Sequence, residues 1–279
     1  MAIKIVTDST SDIPEELAKS LGITVVPLTV FFGEDAFKDK IEIQSDEFFD
    51  RLQNGNILPR TTQPSVGDFI SAYTPLVDEG HDIVSIHISD KLSGTLNSAR
   101  LAREEFPNAN IQLMDSKLGS LGLTLVVKAA AEAANSGADV QAVLDTAADV
   151  ASRVDLFFVL NTLEYLQKGG RIGKAQALVG SLLSVKPILK CVDGEVHPYE
   201  KLRTRQKAVQ RLQDIASEGA PFEEVAFIYQ AEGEEANQLT TFLAPLSSKP
   251  VITGRIGPVI GTYTGPNVVG LALLNPKTS

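Results

Sequence analysis

Cysteine, histidine and tryptophan are scarce in this chain of 279 residues, which has one cysteine, three histidines and no tryptophan. A single cysteine, Cys191, excludes an internal disulfide and is typical of a protein from a reducing compartment. The histidines, His81, His87 and His197, are scattered, and none stands at metal-ligand spacing from another or from Cys191. The sequence therefore predicts neither a disulfide framework nor a metal site.

Long apolar runs and excess positive charge are also missing. No run is long enough to cross a bilayer, and the formal net charge is -10. Nucleic-acid binding and adhesion to anionic membranes both need a basic face, so we expect no nucleic-acid partner and at most transient membrane contact. A strand pattern begins at Ile3, which leaves no room for a signal peptide, and we expect a cytoplasmic protein.

The common nucleotide and nucleophile motifs do not occur. The chain contains no Gly-x-Gly-x-x-Gly, no Walker-type phosphate loop, no Gly-x-Ser-x-Gly elbow and no Ser-x-x-Lys. We therefore expect no cofactor.

Short β-rich runs alternate with helical patterns along the chain. This alternation predicts an α/β fold with a parallel sheet covered on both faces. A second series of elements begins with the apolar run at residues 156–160. We predict an N-terminal α/β domain at residues 1–155 and a smaller α/β domain at residues 156–279, with a ligand in the groove between them.

Individual elements follow from local patterns. Residues 24–32 are apolar and β-branched, which predicts one strand, and residues 66–78 and 119–134 have helical patterns. A helix is also predicted at residues 175–182. Residues 254–266 contain four glycines and two prolines, which predict a shaped loop between two strands.

An apolar run at residues 83–88 leads into Ser93-Gly94-Thr95, and an amphipathic helix follows. A helix that starts this way brings hydroxyls and free backbone N–H groups together, and a carboxylate or phosphate binds at such a point. The alternative is that Ser93 is only an N-cap.

Two other segments offer hydroxyl groups. Thr61 and Thr62 lie in a stretch stiffened by Pro64, and they either supply donors to an anion or simply lead into the helix at residues 66–78. Tyr263, in the glycine-rich segment, either aims its hydroxyl into a site or anchors the loop by packing.

A local positive cluster stands out in this acidic chain. Arg171 lies between Lys168 and Lys174, beside the glycines of residues 169–173. The cluster is either a solvated face or a docking surface for an acidic partner protein.

Taken together, five segments resemble the DegV family of bacterial fatty-acid-binding proteins, and they span nearly the whole chain in the family's order. They are Thr-Asp-Ser-Thr-Ser-Asp-Ile-Pro at residues 7–14, Thr-Thr-Gln-Pro-Ser at 61–65, Leu-Ser-Gly-Thr-Leu-Asn-Ser-Ala at 92–99, Gly-Gly-Arg-Ile-Gly at 169–173 and the glycine-rich segment around Tyr263.

The resemblance implies two α/β domains that bury a long acyl chain. It implies that Ser93 and Thr61 hydrogen-bond the fatty acid carboxylate near Gly94. The carboxylate-binding residues that we predict on this basis are Thr61, Thr62, Ser93, Gly94, Thr95 and Tyr263.

The resemblance also implies a binding subunit rather than an enzyme. Family members present the carboxylate to a separate ATP-dependent kinase, which forms acyl-phosphate, and Arg171 matches a position tied to that kinase. On this interpretation Arg171→Ala spares lipid binding and reduces transfer.

One position departs from the family's pattern, and two other functions remain open. The segment that usually has the sequence Gly-Thr-His-Thr-Gly has Tyr263 at the histidine position, and tyrosine is neutral near pH 7. The main alternative is a serine acyl hydrolase using Ser93 with His87 or another base. A third possibility is a carrier for another anion, such as an acyl phosphate or a phospholipid headgroup.

Overall fold

Strands and helices alternate along the chain, as the sequence predicts. The computed structural model describes residues 2–179 and 186–277. Within these residues the strands are Ile3–Asp8 (β1), Thr24–Val26 (β2), Thr29–Phe32 (β3), Asp35–Lys38 (β4), Arg60–Thr62 (β5), Asp82–His87 (β6), Ile111–Asp115 (β7), Val154–Val159 (β8), Lys186–Val192 (β9), Glu195–Leu202 (β10), Glu224–Tyr229 (β11), Ile252–Arg255 (β12) and Val269–Leu274 (β13).

The α-helices of the same residues cover the sheets. They are Glu15–Leu21 (α1), Ser45–Asn54 (α2), Val66–Asp78 (α3), Thr95–Arg103 (α4), Ser120–Asn135 (α5), Val140–Arg153 (α6), Glu164–Lys168 (α7), Arg205–Gly219 (α8), Glu234–Leu243 (α9) and Pro258–Thr264 (α10). Short 3-10 turns lie at Ser9–Ser11, Gly173–Leu178 and Ala244–Leu246. The helix predicted at residues 175–182 falls partly on this second turn and partly outside the described residues.

The first sheet is parallel and has the strand order β2-β1-β6-β7. In register, Val6 lies opposite Thr24 and Ser85, and Ser85 lies opposite Leu113. Because all four strands run the same way, their carboxyl ends meet at one edge, where ligands commonly bind in parallel sheets. The parallel sheet that we predicted for the N-terminal part is confirmed.

The second sheet is larger and mixed, with the order β10-β9-β8-β13-β11-β12. Only β11 and β12 pair in parallel, whereas β9 and β10 form an antiparallel hairpin in which Cys191 lies opposite Val196. The strand alternation therefore predicted the α/β class but not this sheet's antiparallel pairing, since hairpin strands need no crossover helix.

The segment at residues 24–32 is two strands rather than one. Pro27 and Leu28 separate β2, which joins the parallel sheet, from β3, which joins a third sheet of order β4-β3-β5. Proline lacks the N–H that a strand ladder needs, so the chain leaves the first sheet at this point. In the third sheet Val30 lies opposite Thr61, which brings Thr61 into a strand instead of a loop.

Helix α5 is buried along most of its length between the sheets. Leu121, Leu123, Val126 and Val127 are almost fully enclosed. Its boundaries agree with the predicted helix at residues 119–134 to within one residue. No described helix is long and apolar enough to cross a membrane.

The prediction of a loop at residues 254–266 is wrong in its centre, where α10 lies. Pro258 occupies the first turn of α10, a position where its missing N–H costs no helical hydrogen bond. The helix ends at Gly265, whose φ of 68° lies in the left-handed region that glycine adopts without strain. Helix α10 joins β12 to β13, yet it packs on α2 and beside β5.

Candidate ligand-binding cavity

A cavity of about 390 Å³ lies at the carboxyl edge of the parallel sheet. Its wall is mostly apolar and comes from both predicted domains, with Leu28 and Ile88 from the first part and Phe158, Ile228 and Val268 from the second. A volume in this range suits a small molecule or a single lipid chain. The cavity therefore draws its wall from both of the predicted parts, while the division into two domains stays a prediction.

Polar side chains in the wall come from several separate segments, and Thr10 and Ser120 are among them. Thr61, Thr62, Ser93 and Tyr263, all predicted as carboxylate-binding residues, line this cavity together with Arg171. Gly94 and Thr95, the other two predicted residues, lie directly behind Ser93 in the chain. The structure thus gathers four of the six predicted residues in one wall, whereas Gly94 and the fully buried Thr95 are not among the lining residues. That any of the six holds a carboxylate stays a prediction.

The closest polar contact in the cavity wall joins Thr61 to Tyr263. The two hydroxyl oxygens lie 2.5 Å apart, one on β5 and the other on α10. The Tyr263 ring packs so closely on Gly169 that a Cβ built there would lie 2.4 Å from the ring. Tyr263 therefore packs and hydrogen-bonds at once, which combines the two alternatives that the sequence left open.

Ser93 does not cap α4. The N-cap residue is Gly94, and no side chain caps the helix. The Ser93 hydroxyl lies 2.8 Å from the Thr95 hydroxyl, and Ser93 is half-buried at the cavity. Because its hydroxyl is not used on the helix backbone, it remains available to a ligand.

Gln63 lies in the wall beside Ser93 and was missed as a site residue. Its amide nitrogen donates to the Ser98 hydroxyl at 2.9 Å. A Cβ built on Gly94 would lie 2.2 Å from the Gln63 amide oxygen, so the glycine permits the carboxamide to approach the turn. The motif at residues 61–65 contains Gln63, but only the fold reveals that the side chain lies over Gly94.

Arg171 lies in the cavity wall as well. Its guanidinium donates to the carbonyl oxygens of Leu92 at 3.0 Å and Gly169 at 2.7 Å, and it lies 5.0 Å from the centre of the Tyr263 ring. The backbone bond to Leu92 fixes the turn that precedes Ser93. Docking of a partner through Arg171 stays a prediction. The structure shows in addition that Arg171 lines the cavity.

The electrostatics of the cavity favour an anion. Among the described residues that line it, Arg171 is the one with a charged side chain, and no carboxylate is among them. Attraction between a guanidinium and an anion is strong where water is largely excluded. The polar end can therefore hold a negative group, and the apolar remainder suits a hydrocarbon.

His87 is engaged away from Ser93. Its Nε2 lies 2.7 Å from the Ser85 hydroxyl and its Nδ1 lies 3.0 Å from an Asp8 carboxylate oxygen. All three side chains are buried, and the ring of Phe69 packs edge-on against the imidazole. The nucleophile–base pair of the hydrolase hypothesis, Ser93 with His87, is therefore not formed.

Cys191 is part of the apolar wall. Burial raises the pKa of its thiol to about 12, so the thiol is protonated at neutral pH. Its Sγ lies 3.4 Å from the carbonyl oxygen of Lys117. Cys191 lies on β9. Within the described residues no group of three or more His, Cys, Asp or Glu could hold a metal ion.

Known proteins resemble this chain over its whole length. A family model described as uncharacterised proteins of the DegV family matches residues 2–275. The chain belongs to the DegV family. A DegV domain-containing protein of Halalkalibacterium halodurans is 38% identical to it over 275 residues, which make up 97% of each protein.

Solved structures of the family share this fold. A fatty-acid-binding DegV family protein from Thermus thermophilus superposes with a TM-score of 0.91 at 34% identity, covering 99% of this chain and 100% of that one. DegV of Bacillus subtilis, a fatty-acid-binding protein, superposes with a TM-score of 0.88 at 33% identity, with the same coverage. The family and the fold class predicted from the sequence are confirmed.

Proposed function

We propose that this DegV family protein binds one long-chain fatty acid, with the acyl chain in the cavity and the carboxylate at its polar end. The observation that carries this proposal is the asymmetry of the cavity. Its wall is mostly apolar, whereas at one end Tyr263 contacts Thr61, and Arg171 lies over the Tyr263 ring and bonds the backbone beside Ser93. The other polar residues of the wall are Thr10, Thr62, Gln63, Ser120 and Thr264. The fatty-acid-binding relatives from Thermus thermophilus and Bacillus subtilis support the same ligand class.

The apolar wall supplies the driving force. Burying methylene groups stabilises a complex by about 0.8 kcal/mol each, so a chain of roughly sixteen carbons gives on the order of 10 kcal/mol before the entropy lost on association is subtracted. Affinity therefore depends on the chain, and the polar end decides which way the chain enters.

The polar end satisfies a buried carboxylate. In the Thr61–Tyr263 pair one hydroxyl donates to the other, which leaves one proton free for a ligand, and the Ser93–Thr95 pair does the same. Two O–H donors and the Arg171 guanidinium offset the several kcal/mol that an unpaired buried carboxylate would cost.

We further propose that the chain presents this carboxylate to a separate ATP-dependent kinase in the cytoplasm, and that it uses no cofactor of its own. The exposed residues Thr62 and Gln63 adjoin the polar end, so a head group bound there would lie near the surface. In the reaction a carboxylate oxygen would attack the γ-phosphorus of ATP, and ADP would leave as acyl-phosphate forms. This chain would position the nucleophile, and the partner would supply the phosphoryl-transfer machinery.

Thermal unfolding of delipidated protein tests the ligand class. Palmitate at a hundred times its Kd should stabilise the protein by about 2.7 kcal/mol, which raises the melting temperature by roughly 5 °C or more. Butyrate at the same concentration carries the head group without the chain and is the control. A melting temperature that palmitate does not change would contradict the proposal.

A second assay tests whether this chain alone forms acyl-phosphate or needs a separate kinase. Loaded protein incubated with ATP and hydroxylamine should yield no acyl hydroxamate, because the chain alone would form no acyl-phosphate for hydroxylamine to trap. Hydroxamate produced by this chain alone would assign the phosphoryl transfer to it instead of to a partner.

A further inference from the structure

Two buried carboxylates hold the start of α10, the helix that carries Tyr263. The Gly257 amide donates to Asp12 Oδ1 at 2.9 Å, and the Val259 amide donates to Asp39 Oδ1 at 3.3 Å. Both aspartates are almost fully buried, and they come from two different loops of the N-terminal part. Each loop therefore fixes one backbone group in the first turn of α10.

Asp12 is itself held from three sides. Its Oδ1 lies 2.8 Å from the Lys40 ammonium, and its Oδ2 accepts a hydrogen bond from the Ser120 hydroxyl at 2.7 Å. Asp12 and Ser120 have φ angles of 55° and 50°, a region that residues other than glycine seldom adopt. Such conformations persist where the surroundings over-determine them, so the position of this carboxylate is fixed.

The rest of α10 packs tightly against its neighbours. A Cβ built on Gly261 would lie 2.7 Å from the Phe48 ring and 2.9 Å from the Phe49 ring, so the helix backbone lies directly on α2. The helix rises about 1.5 Å per residue, which puts Tyr263 roughly 9 Å from the Gly257 anchor along a rigid segment. A shift at the start of α10 is therefore carried to the Tyr263 hydroxyl.

We propose that Asp12 and Asp39 are positioning residues for the carboxylate-binding end of the cavity, acting through α10 on the Tyr263–Thr61 hydroxyl pair. This inference rests on the proposed fatty-acid function and extends it. It also gives a role to the motif at residues 7–14, because that motif supplies Asp12. Neither aspartate lines the cavity, so neither touches the ligand.

Asp39 acts as a hydrogen-bond acceptor, and its charge is not required. Its Oδ1 accepts from Val259, while its Oδ2 has no hydrogen-bond partner in the part of the chain described. An asparagine can accept the same bond through its amide oxygen, whereas an alanine cannot. Asp39→Asn should therefore preserve the position of α10, and Asp39→Ala should release it.

The test is the dissociation constant of hexadecanol divided by that of palmitate, both measured by titration of delipidated protein. This ratio reports how much the carboxylate adds to the affinity of the alkyl chain. In Asp39→Ala the Tyr263–Thr61 pair would no longer be held in place to donate to the palmitate carboxylate, so the variant should lower this ratio by about tenfold or more. Asp39→Asn should leave it within about twofold of wild type. A change that only weakened the fold would affect both ligands alike and leave the ratio unchanged.

Glu224→Gln is the matched control, because Glu224 is a buried carboxylate whose partner, Lys128, lies away from the cavity. It should destabilise the protein without changing the ratio. In a Tyr263→Phe background, Asp39→Ala should have little further effect on the ratio, since both changes remove the same contact. Independent, additive losses would overturn the positioning role.

Ser45→Ala tests the same helix end if Asp39→Ala does not fold. The Ser45 hydroxyl donates to the carbonyl oxygen of Ile256 at 2.7 Å, one turn before Val259. The ratio should fall by about twofold to threefold, and an unchanged ratio would contradict the proposal. If the wild-type protein binds neither ligand, the fatty-acid function itself is rejected. If Asp39→Ala keeps the wild-type ratio of dissociation constants, only the positioning role is rejected.

Discussion

The hydroxyl groups of Thr61 and Tyr263 lie 2.5 Å apart although 202 residues separate them in the chain. One belongs to an edge strand of the small third sheet and the other to α10. Their contact lies in the wall of a cavity that both parts of the chain line. Tyr263 is thus a phenol that bonds a threonine hydroxyl from a distant part of the chain.

Ser93→Ala should weaken fatty acid binding without unfolding the protein. The variant loses a hydrogen bond to the carboxylate, which predicts an affinity about tenfold lower for palmitate and an unchanged affinity for hexadecanol. Ser152→Ala, which changes an exposed hydroxyl on α6, is the control. Equal palmitate affinity in Ser93→Ala and wild type would remove Ser93 from the site.

Gly169→Ala should displace Tyr263 without deleting any polar group. The new methyl group would lie 2.4 Å from the Tyr263 ring, so the ring must move away from Thr61. We expect palmitate affinity to fall by several-fold and a crystal structure to show the two hydroxyls farther apart than a hydrogen bond allows. Gly233→Ala is the matched control, because nothing lies within 4 Å of a Cβ at that position.

Arg171→Ala distinguishes two roles for the same side chain. The guanidinium lies over Tyr263 and bonds the Leu92 carbonyl, so its removal should lower palmitate affinity by about tenfold, and Arg171→Lys should restore part of that loss. Lys174→Ala, at an exposed neighbour, is the control. If Arg171 serves only to dock a kinase, Arg171→Ala should keep full palmitate affinity and show reduced transfer to that kinase. This result would contradict the role of Arg171 in carboxylate binding.

Asp39 should make the protein less stable as the pH rises. Burial is the largest cause that raises the pKa of Asp39 to about 7, with Asp12 adding to the rise, while Lys40, Ser9 and the Val259 amide favour the charged form. The unfolded chain releases this proton near pH 4, so the folded state holds more protons between about pH 4 and 7, and stability falls across that window.

Asp39→Asn removes that proton and therefore the pH dependence it causes. Its free energy of unfolding should match wild type near pH 4 and exceed it by about 2–4 kcal/mol at pH 8. Urea unfolding of both proteins at the two pH values measures the difference. A difference that stays constant with pH would mean that Asp39 does not titrate in this range.

The elements that the sequence predicts best are those with strong local signals. Helix α3 begins and ends where its pattern indicates, because Ser65 and Asp68 form a capping box at its start. The break at Pro27 was missed because the residues on both sides are apolar and β-branched. Helix α10 was missed because seven residues containing a glycine and a proline give too short a pattern for a helix.

The site could be predicted only as separate segments. Each hydroxyl stands in a motif that the sequence reveals, yet the distance between Thr61 and Tyr263 depends on how β5 and α10 pack. Gln63, although it stands in the motif at residues 61–65, and Asp39 could not be assigned a role from the sequence, because their contacts with Gly94 and Val259 exist only in the folded chain. Arg171 was assigned to the outer surface since a sequence cannot tell a cavity wall from an exposed cluster.

Native mass spectrometry of the protein purified without added lipid tests the fatty-acid function most directly. The proposal predicts a mass above that of the chain by one long-chain fatty acid per molecule, and it predicts that organic extraction releases this acid. A spectrum of unliganded chain alone, which also gains no such mass after incubation with palmitate, would contradict it.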